Sequence, residues 1–232
     1  MRDDIHSEEG ILYIVSTPIG NIKDITFRAI EILESVDYIL AEDTRTALKL
    51  LNHYNIKKHI ESYFVGNEWK KKDKVLKDLQ KGLKIALISE NGTPCISDPG
   101  NSLVKECHDR DIKVLSVPGP SALTAALSIS GIADNISVFI GFLPKSNQKI
   151  RKLFRKIENY EGNIILYESP YRIVKLLKLI REHFGNIKIF LFKELTKYFE
   201  SIIIDNIDNV LEKFADNKLK GEYVVIFNKE IT

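Results

Sequence analysis

Residues 86–100 read ALISENGTPCISDPG, and this stretch decides the fold. An apolar run of strand type breaks into a loop rich in glycine and proline, and the loop leads into a helix. Junctions of this kind leave backbone N–H and C=O groups unpaired at the carboxyl edge of a sheet, where small ligands bind. Pro94 and Pro99 stiffen the loop, while Gly92 and Gly100 allow positive φ. The stretch therefore predicts an α/β fold that holds a ligand through main-chain atoms.

Two further junctions have the same design. Residues 117–131, VPGPSALTAALSISG, run from a predicted strand through Pro118, Gly119 and Pro120 into a helix. Residues 16–24, STPIGNIKD, follow the first predicted strand. The sequence contains neither the G-x-G-x-x-G fingerprint of dinucleotide-binding proteins nor a P-loop. The loops therefore match neither of these two nucleotide-binding motifs.

Short apolar runs alternate with segments of helical periodicity along most of the chain. This rhythm predicts an α/β protein with mostly parallel strands in the first half and a more mixed second half. The segment GIADNIS, residues 131–137, is the best boundary between two α/β domains, 1–131 and 132–232. Ligands commonly bind in a cleft between two such domains. The predicted strands are 11–16, 38–41, 84–89, 113–117, 138–141, 163–167, 187–192, 199–204 and 222–227, and the predicted helices are 26–35, 45–51, 71–79, 102–110, 121–130, 148–159, 171–183 and 206–214.

Composition narrows the class of protein. The chain has 232 residues, of which 44% are hydrophobic and 28% charged, an ordinary soluble composition. No apolar run approaches the ~20 residues of a membrane span, and the polar start MRDDIHSEEG is unlike a signal peptide. Cys95 and Cys107 are the only cysteines. We therefore expect a cytoplasmic protein without a disulfide framework or membrane contact, and the absence of H-x-x-x-H and C-x-x-C spacings predicts no metal.

Basic residues are concentrated in two segments, although the net charge is only +2. Residues 145–156 contain six basic residues and no acidic one, and residues 67–84 contain seven lysines against three carboxylates. Either these are solvated helix faces, or they are patches that meet a polyanion. Trp69, the only tryptophan, precedes Lys70 and has two interpretations as well. It stacks on a nucleic-acid base, or it anchors a helix to the core.

Two charged motifs end predicted strands. In AEDTR, residues 41–45, the carboxylates and guanidinium belong to a site at the sheet edge, or Asp43 caps the next helix while Arg45 pairs with Glu42. In YESPYR, residues 167–172, Glu168 and Arg172 form a local ion pair or serve a similar site.

Eight motifs occur in the order and spacing of one protein family. They are TPIGNIKDIT, AEDTRT, SENGTPCISDPG, VPGPSALTAALSISG, GFLPK, YESPYR, KELTK and KGEYVVI. Over about residues 11–226 the chain resembles the ribosomal RNA small subunit methyltransferase I family, which methylates the 2′-oxygen of a cytidine in 16S rRNA. That family belongs to the tetrapyrrole (precorrin/corrin) methylase superfamily.

The resemblance implies a fold, a donor and partners. We expect two α/β domains of tetrapyrrole-methylase type, S-adenosylmethionine bound folded in the cleft between them, a homodimer, and 16S rRNA of the small ribosomal subunit as acceptor. The positions that match the family's donor-binding residues are Pro18, Gly92, Thr93, Pro94, Ile96, Ser121, Ala122, Tyr167, Leu195 and Gly221.

The chain also departs from the family's pattern. Glu90 and Asn91 stand where the family usually has Asp and Ala, so donor-pocket details should differ. Tyr171 stands where a histidine is usual, so this position supplies no imidazole base. A small additional domain that follows in many relatives is expected to be absent here.

In methyl transfer from a sulfonium, a carboxylate or a water within reach of the acceptor hydroxyl helps to remove its proton, so acid residues belong near the acceptor rather than near the donor. A carboxylate beside the sulfonium stabilises the ground state, because the positive charge disperses in the transition state. We therefore expect catalysis from Asp43 and Glu42, with Arg45 on a phosphate or on the carboxylate. RNA binding is predicted for Lys149, Arg151, Lys152 and Arg155. Two alternatives stay open, a methyltransferase that acts on carbon atoms of a tetrapyrrole and a non-catalytic RNA-binding member of the fold.

Overall fold

The computed structural model describes residues 9–132, 136–215 and 219–229. The chain divides into two compact units, Met1–Ser121 and Ala122–Thr232. The domain boundary predicted at residue 131 lies one helix later than this division. Residues 133–135 of the predicted boundary segment, and most of the polar N-terminal segment, lie outside the described residues.

The first unit alternates strands with helices, as predicted. All five strands of its sheet run parallel, in the order β3-β2-β4-β1-β5. A short 3-10 turn, Ile22–Asp24, precedes the first helix. The strands are β1 (Ile11–Val15), β2 (Tyr38–Ala41), β3 (His59–Ser62), β4 (Lys84–Ile88) and β5 (Lys113–Val117), and the helices are α1 (Phe27–Ser35), α2 (Thr44–His53), α3 (Glu68–Gln80) and α4 (Asn101–Asp109).

Helices cover both faces of this sheet. Leu40 and Leu87 pack with α3 and α4 on one face, whereas Ile39 and Ala86 pack with α1 and α2 on the other. Successive residues of a strand point to opposite faces, so a strand covered on both sides needs apolar residues throughout. This explains why β2 and β4 are continuous apolar runs in the sequence.

The strand order places the predicted ligand loops side by side. β1 lies between β4 and β5, and the three junctions recognised in the sequence follow these three strands. Because the strands are parallel, the loops leave the sheet at one edge. The loop after β2 joins them from the strand next to β4.

β3 was not predicted from the sequence. Its four residues, HIES, contain one apolar residue, and the strand lies at the open edge of the sheet, paired only with β2. A short edge strand needs no buried apolar run, so its pattern resembles that of a loop.

The second unit has a mixed sheet, as predicted. Its order is β6-β7-β10-β8-β9, in which only the β6–β7 pair is parallel. Its main hydrophobic core lies between the sheet and α6, α7 and α8. The strands are β6 (Ser137–Phe142), β7 (Asn163–Glu168), β8 (Lys188–Lys193), β9 (Ser201–Asn206) and β10 (Tyr223–Phe227), and the helices are α5 (Ala122–Ser130), α6 (Asn147–Ile157), α7 (Ile173–Phe184) and α8 (Ile207–Phe214).

The state of the cysteines and the character of the helices bear on disulfide bonding and membrane crossing. Cys95 and Cys107 are both free thiols. Among the helices of the described ranges, none has the length and apolar character that crossing a bilayer requires.

Candidate active site

A short antiparallel bridge joins the loop after β1 to the loop after β4. The N–H of Thr17 donates to the carbonyl of Gly92 at 2.9 Å, and the N–H of Gly92 donates back to the carbonyl of Thr17 at 3.2 Å. The Thr17 hydroxyl also donates to the Ser89 carbonyl at 3.3 Å. The two loops are therefore fixed to each other through main-chain atoms.

Small polar side chains extend this connection to the loop after β5. The hydroxyls of Ser16 and Thr93 lie 2.9 Å apart, and the Thr93 hydroxyl donates to the carbonyl of Pro120 at 3.2 Å. Ser16 and Ser89 are buried, so these bonds are shielded from water. Neither serine was predicted as a site residue, although a small hydroxyl residue at the end of an apolar strand was a usable signal.

Gly92 has a conformation and an environment that require glycine. Its φ is +82°, and a Cβ built there would lie 3.1 Å from Cγ2 of Ile19 and 3.5 Å from the carbonyl oxygen of Pro120. Few residues with a side chain adopt this φ, and β-branched ones almost never do. The residue predicted to contact the donor thus lies in a buried, closely packed stretch of backbone that favours glycine.

The other predicted donor-binding residues of the first unit differ in burial and in their distance from Gly92. Pro18 and Pro94 are buried beside the bridge residues. Ser121 approaches Gly92, since its Cα lies 4.0 Å from the Cβ position there. Ile96 is different, because 52% of its surface is exposed.

In the second unit, three predicted donor residues lie at one edge of the sheet. Tyr167 lies near the end of β7, and its ring makes edge contacts with the rings of Phe139 and Phe142. Leu195 follows β8 and Gly221 precedes β10, and these segments are joined because the Glu222 N–H donates to Glu194 at 2.9 Å. The fourth predicted residue, Ala122, begins α5.

The AEDTR motif combines a helix cap with an ion pair. The Asp43 carboxylate accepts from the N–H of Arg45 at 2.8 Å and from its guanidinium at 2.6 Å and 3.1 Å. These bonds hold the pKa of the Asp43 carboxyl well below its usual range. The predicted cap is present, but Arg45 pairs with Asp43 and not with Glu42, because an Asp at the cap position lies within reach of the guanidinium two residues on.

Three other carboxylates influence one another at the same sheet edge. Burial, with Glu42 and Glu90 nearby, raises the pKa of Asp98 to about 6. Burial, Glu90 and Asp43 also raise the pKa of Glu42. A carboxylate that binds its proton more tightly is a better base near neutral pH. Asp98 was not among the predicted site residues, although it lies in the quoted opening stretch.

The YESPYR motif forms the predicted ion pair. Glu168 is buried, its carboxylate lies 3.3 Å from the guanidinium of Arg172, and it accepts from the N–H of Ser169 at 2.8 Å. Arg172 also donates to the carbonyls of Leu143 and Pro144, which belong to the GFLPK motif. Two of the eight motifs are therefore linked inside the second unit.

Helix α6 presents the predicted basic face. Ile150 and Phe154 are buried in the core. The four predicted RNA-binding residues are exposed, and they are Lys149, Arg151, Lys152 and Arg155. The guanidinium of Arg151 pairs with the Glu182 carboxylate at 2.7 Å, which reduces the positive charge of the face.

Candidate metal ligands do not come together in residues 9–132, 136–215 and 219–229. No group of three or more His, Cys, Asp or Glu side chains in these ranges is arranged to hold a metal ion.

Comparison with known proteins identifies relatives of the whole chain. Residues 11–211 match the model of the tetrapyrrole (corrin/porphyrin) methylases. Proteins named ribosomal RNA small subunit methyltransferase I are similar throughout. The one from Thermotoga maritima is 41% identical over 94% of this chain and 98% of its own length. Those from Buchnera aphidicola (strain APS) and Pasteurella multocida are 44% and 45% identical over 94% and 96% of this chain, and over 79% and 80% of their own lengths.

Solved structures with the same fold are more distant in sequence. A diphthine synthase superposes with a TM-score of 0.72 over 94% of this chain and 89% of its own, at 12% identity. The uroporphyrin-III-C-methyltransferase from Thermus thermophilus superposes with a TM-score of 0.64 over 95% and 93%, at 14% identity. These structures establish the fold.

Proposed function

Because the chain belongs to the ribosomal RNA small subunit methyltransferase I family of tetrapyrrole methylases, we propose that it methylates the 2′-hydroxyl of a cytidine in 16S rRNA, with S-adenosylmethionine as donor. The observation that carries this proposal is the 41–45% identity to relatives named for that RNA substrate. The tetrapyrrole methyltransferase shares the fold at only 14% identity. We further propose a cytoplasmic homodimer that acts on the small ribosomal subunit.

The donor is bound mainly by main-chain groups of the first unit's loops. Gly92 brings a buried backbone close to the neighbouring loops at a φ that favours glycine, and Thr93 fixes its loop to Pro120. Pro18, Pro94 and Ser121 complete the wall beside it, and the donor contacts proposed for the rest of the chain are Ile96, Ala122, Tyr167, Leu195 and Gly221. When bound, S-adenosylmethionine supplies an electrophilic methyl group on a positively charged sulfur.

A base must accept the proton of the acceptor hydroxyl, and the carboxylates at the sheet edge differ in how tightly they bind a proton. Asp43 is held by Arg45 and has a lowered pKa, so it binds a proton weakly. Asp98 and Glu42 have raised pKa values. We assign proton acceptance to Asp98, with Glu42 beside it. Asp43 then holds the exposed Arg45 guanidinium at the edge, where it meets an RNA phosphate.

One experiment tests the proposed reaction directly. The protein is incubated with isotopically labelled S-adenosylmethionine and small ribosomal subunits that lack the modification, and the product is mapped by mass spectrometry. We expect one label on the ribose of a single cytidine in 16S rRNA. A label on a base, or none despite donor binding in calorimetry, would contradict the proposal; in the second case the non-catalytic alternative would hold.

Asp43→Asn separates positioning of Arg45 from helix capping. Asn and Asp cap helices about equally well, so the melting temperature should stay unchanged. The ion pair with Arg45 is removed, and we expect methyl transfer to fall while donor affinity stays within a few-fold. Transfer rates at varied RNA concentration check this prediction. A near-parental rate would leave Asp43 with a capping role only.

The basic face of α6 should contribute to RNA affinity by neutralising phosphates. Lys149→Glu with Lys152→Glu is expected to weaken binding of 16S rRNA and to lower the salt slope by roughly 0.7–0.9 for each phosphate that is no longer neutralised. Arg151 is left intact because Glu182 already engages it. The matched control is Lys77→Glu with Lys113→Glu, an equal charge change at exposed lysines of the first unit. Equal effects of the two pairs would reduce the face to a solvated surface.

A further inference from the structure

The segment between β3 and α3, together with the first turn of α3, exposes apolar side chains at the carboxyl edge of the first unit's sheet. Trp69 is 71% exposed, Val65 is 73% exposed and Phe64 is 43% exposed. Burying such side chains stabilises a protein, so their exposure needs another explanation. The interpretation of Trp69 as an anchor of α3 to the core is wrong, because Val75, Leu76 and Leu79 pack the helix against the sheet instead.

Hydrogen bonds fix the shape of this segment. Asn67 accepts from the N–H of Phe64 at 2.8 Å, and its amide donates to the carbonyl of Ser62 at 3.1 Å. Glu68, the first residue of α3, accepts from the N–H of Gly100 at 2.8 Å. This last bond connects the exposed apolar segment to the loop that carries Asp98. The apolar surface therefore lies next to the proposed acceptor site and has a defined position.

The charges around this surface favour an anion. Residues 64–74 contain four lysines and two carboxylates. Lys72 and Lys74 pair with Glu106 and Glu61, and the ammonium of Lys70 lies 5.0 Å from the centre of the Trp69 ring. An aromatic ring with a neighbouring cation is the combination that binds single-stranded nucleic acids, since the ring stacks on a base and the cation meets the backbone. Lysine is depleted at protein–protein interfaces, so a protein partner fits this surface less well.

We propose that Trp69 stacks on an unpaired RNA base close to the methylated nucleotide, with Phe64 and Val65 extending the apolar surface and Lys70 contacting the adjacent phosphate. This inference rests on the proposed function, because it takes the acceptor to be RNA. Proteins recognise single-stranded RNA by stacking its unpaired bases on aromatic side chains, and a base stacked on Trp69 holds the strand beside the acceptor site. Trp69 is here a binding residue and has no part in proton transfer.

The chain's single tryptophan makes the contact directly observable. Unmodified 16S rRNA and a single-stranded oligocytidylate are titrated into the protein, and we expect quenching of tryptophan fluorescence. S-adenosylmethionine alone should quench far less. Trp69→Ala should weaken RNA affinity about 5-fold to 150-fold, while Trp69→Phe should keep most of it. The matched control is Tyr198→Ala, which removes a similarly exposed aromatic ring of the second unit.

Kinetics and sedimentation separate this inference from the proposed function and from a protein interface. If the parent transfers methyl groups to RNA, Trp69→Ala should raise KM for RNA with little change in kcat and donor affinity. Unchanged RNA affinity of Trp69→Ala would overturn the inference and leave the proposed function intact. A Trp69→Ala protein that sediments as a smaller species, with RNA affinity unchanged, would assign the surface to a second copy of the chain. Quenching by RNA without methyl transfer would support stacking and contradict the proposed function.

Discussion

Asp98→Asn is expected to lower methyl transfer to 16S rRNA by about 10²-fold to 10⁴-fold, the usual contribution of a general base. Donor affinity should stay within a few-fold, because the donor is assigned to the main-chain groups around Gly92. Asparagine keeps the shape of the side chain and removes its ability to accept a proton. Single-turnover transfer at saturating RNA measures the chemical step without the binding step.

The pH dependence gives an independent check on Asp98. Its folded-state pKa of about 6 exceeds the ordinary value of ~3.9 for an unfolded aspartate. The contribution of Asp98 to the free energy of unfolding should therefore fall as the pH rises from ~4 to ~6, because the folded state must give up a proton that it binds more tightly. Asp98→Asn lacks this loss, so at pH 8 it should be more stable than the parent by about 1–3 kcal/mol. Parental transfer should rise with pH around the folded-state pKa of about 6.

Urea denaturation at pH 4 and pH 8 measures this stability difference. The matched control is Asp109→Asn, the same chemical change on an exposed carboxylate of α4 paired with Lys105. A variant that loses activity and gains stability above pH 6 has lost a functional group. Near-parental transfer by Asp98→Asn would assign proton acceptance to Glu42 instead. Glu42→Gln would then be the variant with the large loss of methyl transfer.

The sequence predicted the features that short stretches of chain determine. The βαβ rhythm, the parallel first sheet and the Asp43 cap each depend on residues within about one element of each other. β3 was missed because an edge strand of four residues needs no apolar pattern. The resemblance named Gly92 and Thr93, and the structure shows how they join neighbouring loops.

The carboxylate cluster shows why the candidate site was only partly predicted. Glu42 was noticed because it ends a strand beside other charges, whereas Asp98 lies in a loop where an aspartate is ordinary. Their interaction depends on β2 pairing with β4, which brings two loops about fifty residues apart in sequence to one edge. The Glu68–Gly100 bond arises in the same way. Such effects depend on tertiary distances and on burial, which local pattern does not encode.

Gly92→Val is expected to reduce the affinity for S-adenosylmethionine by about 10²-fold or more, measured by calorimetry in the presence of a chelator. A β-branched residue at φ +82° is strained by about 1–3 kcal/mol. Its side chain also begins 3.1 Å from Cγ2 of Ile19, so this methyl group must move by a few tenths of an ångström. The backbone strain displaces the main-chain groups assigned to the donor.

A side chain forced into a positive φ lowers stability at any position in the chain. The test therefore needs a control glycine that has a similar φ and lies outside the proposed donor site. Gly185 has φ +89°, and among the described residues nothing lies within 4 Å of a Cβ built there. Gly185→Val should lower the melting temperature and leave donor affinity at the parental value, whereas Gly92→Val should lower both. Gly92→Ala, with a smaller side chain, keeps the test possible if the valine variant does not fold. Equal donor affinity in Gly92→Ala, Gly185→Val and the parent would show that the donor does not approach this backbone, and the main-chain site would have to be sought at another loop of the same edge.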